Sequence, residues 1–418
     1  MGKIIVSANT RFLFSASSET TQWAEEKFHE GVQKYPPAFR EKNCNKDLLD
    51  KIEAWAQKQH ADGISDMIVI GMGGSSLGAK ALESVIRHEQ IGREKTFLHF
   101  WEGSHPTAIA QVLHQLENRK VAALFVSKSG TTLESRTMLA LFRQFFPESR
   151  VTFVTSHPEK IKDIQNEGEE TFLIPENLGG RYSVISPVGL LPAAFLNGNI
   201  RTLVGHYYQA IDKLEAEIPF AENPAKKMAL SYYKLFTSGF HTNVLWSYSR
   251  EFHPFMDWIV QLWAESLGKN ELVRALPVPA KGPEDQHSVL QYYMSCANEF
   301  IHTFFHVDTY GAYSIPVPEY PVISSGKSLW RILHSQMKSI EMALDKKDRP
   351  VIEFIASAPN IESLGKQMAF WMWLVTYLAA LYGVNPYDQP GVELGKVICK
   401  EILSEDKIPE NLSAAFEL

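Results

Sequence analysis

The sequence is poor in the features that commit a chain to extracellular, membrane or nucleic-acid work. Only three of its 418 residues are cysteines, Cys44, Cys296 and Cys399. They lie far apart, with no CxxC and no His/Cys ligand spacing. That excludes a disulfide framework and a zinc motif, and it fits free thiols in a reducing compartment. There is no basic excess: the formal net charge is −7, which favours neither nucleic acid nor an acidic membrane surface as a partner. The stretch "MGKIIVSANTRFLF" holds no long apolar run and no cleavage pattern, so no signal peptide is expected and the expected location is cytoplasmic. One uncharged run, "MAFWMWLVTYLAALYGV" (368–384), approaches the length of about 20 residues that a membrane span needs. The polar "NPYDQPG" follows at once, so this run is expected to be a buried core helix that ends at a cleft, not a span.

What is present is an ordinary globular composition, 45% hydrophobic and 21% charged, on a chain long enough for two cores. Residues 20–60 read as helical, with breaks at Pro36 and Pro37. "DMIVIGMGGSSLGAKALESVIRH" then runs from apolar strand to glycine-rich turn to helix. "VAALFVSKSGTTLESRTMLALFRQFF" (121–146) repeats that plan, and "VTFVTS" (151–156) is a further buried strand. Such alternation implies a mainly parallel sheet with helices on both faces, here a first α/β domain over 60–195. A helical bridge is expected over 201–237. Strands at 242–249 and 351–358, with helices at 254–269 and 361–384, then indicate a second, larger and less clearly patterned α/β domain formed by 1–59 and 196–418. No repeat, low-complexity linker or long charge run interrupts the chain.

Several stretches carry candidate chemistry. In "VIGMGGSSLGAK", Gly71, Gly73 and Gly74 sit where a helix begins, and unpaired N–H groups there favour an anion. The spacing matches neither a P-loop nor a dinucleotide fingerprint, and a plain tight turn is the alternative. "SKSGTT" places the hydroxyls of Ser127, Ser129, Thr131 and Thr132, and the backbone donors of Lys128 and Gly130, at another strand-to-helix junction. A helix cap needs one hydroxyl, not four, so a phosphate monoester is the better occupant. Arg181 in "GGRYSVISPVG" lies in apolar surroundings and needs a partner, such as an anionic ligand or intermediate. "QLWAESLGK" puts Gln261 and Glu265 four residues apart on one helical face. A carboxylate among apolar neighbours suits a general base, although most helical glutamates are solvated. "NPYDQPGVELGK" carries Gln389 and Lys396. His287 in "GPEDQHSVLQ" is either a solvated loop residue or an acid that meets a substrate.

Together "GMGGSSLG", "SKSGTT", "GGRYSVISPVG", "QLWAESLGK", "GPEDQHSVLQ" and "DQPGVELGK" resemble, in order over residues 66–400, the glucose-6-phosphate isomerase (phosphoglucose isomerase) family. The resemblance implies two SIS-type α/β domains, each a mainly parallel sheet flanked by helices, and a homodimer. It implies a phosphate loop at Ser127–Thr132 with Ser129 and Thr132 as side-chain donors, and Ser75, after Gly74, as a further contact to sugar or phosphate. It makes Arg181 the stabiliser of an enediolate, Glu265 the base between carbons 1 and 2, and Gln261 and Gln389 ligands of substrate oxygens. His287 and Lys396 become the ring-opening pair, with His287 supplied by the neighbouring subunit. The turn-rich "PVPAKGPEDQ" (277–286) is expected to project for that purpose. There are departures. Twenty-two residues follow Lys396, fewer than in larger members, and "SKSGTT" replaces the aromatic-containing loop of animal members. The expected reaction is isomerisation of glucose 6-phosphate and fructose 6-phosphate, with no metal and no cofactor. Two alternatives remain: an isomerase that also accepts mannose 6-phosphate, and a non-catalytic SIS-type sensor of a sugar phosphate, which would have no need for Glu265, His287 and Lys396 together.

Overall fold

The computed structural model describes residues 3–5, 17–311 and 315–405. The chain opens with a short strand, β1 (Lys3–Ile5), and two helices, α1 (Ser18–Lys34) and α2 (Lys46–Ala61). The Asn45 side chain caps α2 by accepting from the Leu48 N–H at 3.0 Å. An alternating run follows: β2 (Asp66–Ile70), α3 (Leu77–Glu89), β3 (Phe97–Trp101), α4 (Pro106–Gln115), β4 (Val121–Val126), α5 (Leu133–Phe145), β5 (Val151–Thr155) and β6 (Thr171–Leu173). Helices α6 (Pro187–Phe195), α7 (Ile200–Asp212) and α8 (Pro224–Thr237) lead to β7 (Thr242–Ser247), α9 (His253–Leu267), β8 (Leu276–Lys281), α10 (Leu290–Ser295) and β9 (Phe300–Val307). Then come α11 (Leu329–Asp345), β10 (Val351–Ala356), α12 (Ile361–Tyr382) and α13 (Glu393–Glu405).

The strands form two sheets, β3-β2-β4-β5-β6 and β1-β10-β9-β7-β8. Every pairing in the first is parallel. In the second only the β1–β10 pairing is antiparallel. β2 and β4 are buried at every position, as strands covered on both faces must be. One apolar core runs from these strands across α6, α7, α8, α9 and α12 to β9 and β10.

The uncharged run at 368–384 lies mostly within α12, of whose 22 residues 18 are buried. Each large apolar side chain removed from water there contributes roughly 1.5–3 kcal/mol, which explains an apolar composition all round the helix. Among the described residues no helix is long and apolar enough to cross a membrane. The region expected to bridge is instead packed: α7 and α8 both lie against α12. A second difference concerns residues 277–286. Their first half is the edge strand β8, parallel to β7, with Asn243 opposite Pro277 and Leu245 opposite Pro279. The N–H groups of Leu276 and Gly282 bond to His241 and Ser247, so the alternate positions hold the prolines, which need no donor on an open edge. Only the turn from Gly282 onward leaves the sheet.

Candidate active site

Parallel sheets place ligands at the carboxyl ends of their strands, and the turns after β2 and β4, which carry two of the candidate stretches, lie there. The turn after β2 carries Gly73, Gly74 and Ser75. Gly73 has φ +55°, and a Cβ on it would lie 2.8 Å from Gln261 Nε2. A Cβ on Gly74 would fall 2.3 Å from the Gly180 carbonyl carbon. Glycine at both positions therefore lets this turn sit against α9 and against the short turn that carries Arg181.

Arg181 is buried, 2% exposed. A guanidinium has five N–H donors, and each has an acceptor inside the fold. Nε donates to Ser266 Oγ at 2.8 Å, and Nη1 to Glu265 Oε2 at 3.1 Å and Gln389 Oε1 at 3.0 Å. Nη2 donates to the Asp388 carbonyl at 2.9 Å and to the Pro386 carbonyl. Gln261 Nε2 donates to the other Glu265 oxygen at 3.0 Å. Gln261, Glu265, Arg181 and Gln389 thus form one bonded group, assembled from α9, the 180–182 turn and the segment after α12.

One strand over from the Gly73–Ser75 turn, "SKSGTT" links β4 to α5. Thr132 is the N-cap residue of α5, yet its side chain makes no capping bond. Its hydroxyl lies 3.0 Å from Ser127 Oγ, and Ser129 Oγ accepts from the Thr131 N–H at 3.2 Å. The hydroxyls are therefore organised within the loop and leave the first turn of α5 without a side-chain cap. Lys128 is half-buried; desolvation pushes its ammonium below the ordinary lysine range, with Glu176 opposing that shift.

Two of the described candidates are not bonded to the Arg181–Glu265 group. His287 ends a short 3-10 turn after β8 and is exposed. Lys396 lies on α13, exposed, its ammonium 2.8 Å from Glu393 Oε1. Among the described residues, no hydrogen bond or ion pair joins either to the Arg181–Glu265 group. Other contributors went unread in the sequence. Ser266 accepts from Arg181 and lies 2.9 Å from the Tyr182 hydroxyl. Ser76, fully buried, donates to Glu102 at 2.7 Å and lies 3.2 Å from the Gly73 carbonyl. Glu102 also pairs with Lys80. Both serines sit inside quoted motifs, where a polar residue on the inner helical face was the available signal; Glu102 lies in no motif. Among the described residues, no group of three or more His, Cys, Asp and Glu side chains could hold a metal ion.

The fold is that of an α/β protein of the SIS phosphosugar-isomerase type. It is similar to a glucose-6-phosphate isomerase structure from Chlamydia trachomatis, with TM-score 0.73 at 21% identity, covering 98% of this chain and 83% of that one. It is also similar to a hypothetical protein of Thermus thermophilus, with TM-score 0.85 at 28% identity, covering 96% of this chain and all of that one. In sequence it is 30% identical over 397 residues to a probable glucose-6-phosphate isomerase of Methanococcus maripaludis, covering 92% of this chain and 90% of the relative. The phosphoglucose isomerase family model matches residues 18–416; the chain belongs to that family.

Proposed function

We propose that this aldose–ketose isomerase interconverts glucose 6-phosphate and fructose 6-phosphate, with Glu265 moving a proton between carbons 1 and 2. The observation that carries the reading is the Arg181–Glu265 contact, 3.1 Å long, together with a strand-to-helix loop whose hydroxyls and uncapped helix end suit a phosphate. The charge accounting supports these roles. Before reaction Arg181 faces an anionic Glu265. Once Glu265 has taken a proton it is neutral, its hold on Nη1 weakens, and the negative charge sits on the enediolate beside the same guanidinium. One fixed cation thus serves both states without rearranging, as preorganised stabilisation requires. Gln261 keeps the carboxylate aimed, and Gln389 offers an amide to substrate oxygens. No external oxidant or reductant is needed: the proton taken from one carbon returns to the other and a hydroxyl proton passes between oxygens 1 and 2, so proton transfers alone complete the reaction.

The phosphate would bind Ser127, Ser129, Thr131 and Thr132, with Ser75 and the Gly74 turn alongside. A dianion there would also offset the desolvation of Lys128. Ring opening is assigned to His287 and Lys396. Their exposure, with no bond to the Arg181–Glu265 group among the described residues, supports a site completed by a second copy of the chain, with His287 acting in trans. The apolar side chains that α13 leaves exposed, Leu394, Val397, Ile398 and Leu403, fit burial in such a dimer. The test is a coupled assay with fructose 6-phosphate as substrate and glucose 6-phosphate oxidation as readout. Turnover that depends on the phosphate group supports the reading; no turnover ends it, and phosphate-ester binding without turnover would favour a sensor.

A further inference from the structure

We infer that Lys269 is a positioning residue for this reaction: through Asp388 it holds segment 385–389 against Arg181, and so fixes where Gln389 meets the Arg181–Glu265 pair. The inference rests on the isomerase reading above.

Lys269 follows α9 by two residues, and its side chain is 10% exposed. Its ammonium lies 2.9 Å from Asp388 Oδ1 and also donates to the Asp388 carbonyl. That same carbonyl oxygen accepts from Arg181 Nη2 at 2.9 Å. Two cations therefore converge on one backbone oxygen, an arrangement that like charges resist unless anions balance them. Asp388 and Glu265 supply the balance. The other Asp388 oxygen accepts from Asn385 Nδ2 at 3.0 Å, and Asn385 Oδ1 accepts from the Tyr387 N–H at 3.0 Å, which closes the segment on itself. Tyr387 anchors it further, its ring 5.1 Å from that of Tyr182 and its hydroxyl 3.1 Å from Thr376.

Removing the ammonium would have a specific consequence. The Asp388 carboxylate would lose its cation, and the segment whose Asp388 carbonyl accepts from Arg181 and whose Gln389 meets Nη1 would lose its tie to the end of α9. The base and its amide neighbour would lose their fixed geometry, while the phosphate loop, built from other elements, would not. Burial already pushes the Lys269 ammonium below the ordinary lysine range, with Asp388 and Glu265 opposing the shift, as expected of a cation held for its partners and not for solvent.

The experiment measures steady-state kinetics on fructose 6-phosphate for the full chain and for K269M, K269R, D388N and the K269M/D388N pair, with thermal unfolding of each. Losing a charge-assisted hydrogen bond sets the expected scale: K269M should lower kcat by about tenfold or more, with KM within about twofold. K269R should recover most of that loss. D388N should lower kcat too, and the double variant should fall no further than the worse single one, because both substitutions break the same link. If K269M does not unfold cooperatively, D388N, whose side chain is half-exposed, carries the test by the same kcat criterion. A K269M or D388N kcat within about twofold of the parent, a loss confined to KM, or two losses that multiply would overturn the inference. If the parent chain itself does not isomerise fructose 6-phosphate, the isomerase reading falls and takes this inference with it; active variants beside an active parent remove only the role of Lys269.

Discussion

Arg181 and His287 mark two extremes in how this protein holds its candidate side chains. Arg181 is buried, with all five N–H groups bonded to Ser266, Glu265, Gln389 and two carbonyls. His287 is exposed on a turn beyond an edge strand, and Lys396 is exposed on α13. The difference matches the two kinds of chemistry proposed for them. Proton transfer at carbon gains most from groups fixed before the substrate arrives, because misplacement by about 1 Å can cost about a hundredfold in rate. Ring opening is a separate acid–base event, and its groups can arrive on another surface. One half of the proposed site is complete within a single chain; the other half stands ready at the periphery.

The largest expected effect tests the preassembled half. Glu265→Gln keeps the shape of the side chain and removes the base, so kcat should fall by about a hundredfold or more. Affinity for a phosphate ester should be retained, and exchange of solvent deuterium into product should disappear. A variant that turns over near the parent rate would remove Glu265 from its role. Next in size is the phosphate loop. The Ser129→Ala/Thr132→Ala pair should raise KM strongly, at about 1.5–3 kcal/mol for each hydrogen bond to a charged group. An unchanged KM, or an anion seated elsewhere in a soaked crystal, would contradict the assignment.

A smaller effect probes how tightly the two turns of the inner site are joined. Gly74→Ala forces a Cβ into the Gly180 backbone and should cost about 1–3 kcal/mol of stability by overpacking, together with activity. Gly205, in α7, has open space around it; alanine there should stabilise by about 0.5–1 kcal/mol. Equal melting temperatures for the two variants would show that the Gly74–Gly180 contact is not constrained.

A buried histidine supplies a second form of the contrast. His302 is fully buried, its Nδ1 accepting from Trp246 Nε1 at 3.1 Å. Burial and then Arg349 push its pKa down to about 3. The unfolded chain binds a proton at this residue below about pH 6.5, while the folded chain does not until far lower pH. Stability is therefore flat above that point and falls as the pH drops from about 6.5 towards 3, by at most about 1.4 kcal/mol per pH unit from this residue. His302→Gln should flatten part of the decline in urea midpoint between pH 7 and pH 5. An unchanged slope would mean that other groups set the acid sensitivity.

Much of the frame was legible in the sequence because its signals are local. The strand-to-helix junctions at Gly71–Ser75 and Ser127–Thr132 show as apolar runs broken by small residues, and α12 shows as an uncharged run too apolar for a surface. Arg181 plainly needed a partner in its apolar segment. Which partner was not legible: two of its acceptors are backbone carbonyls, at Pro386 and Asp388, which leave no residue signature, and they lie more than 200 positions away. The prolines at 277 and 279 misled for a related reason. Proline argues against a central strand but not against an edge, and edge position is a property of the sheet order, not of the segment.

The most direct test of the divided site is complementation. Glu265→Ala and His287→Ala proteins, each nearly inactive, are unfolded, mixed in equal amounts and refolded. Random pairing makes about half the dimers mixed, and in each of these one site holds both groups and the other neither. If His287 acts in trans, activity should rise towards roughly a quarter of the parent value under that two-fold pairing. If mixed dimers demonstrably form and activity does not rise, His287 serves its own subunit or none, and the account of a site shared between two chains is wrong.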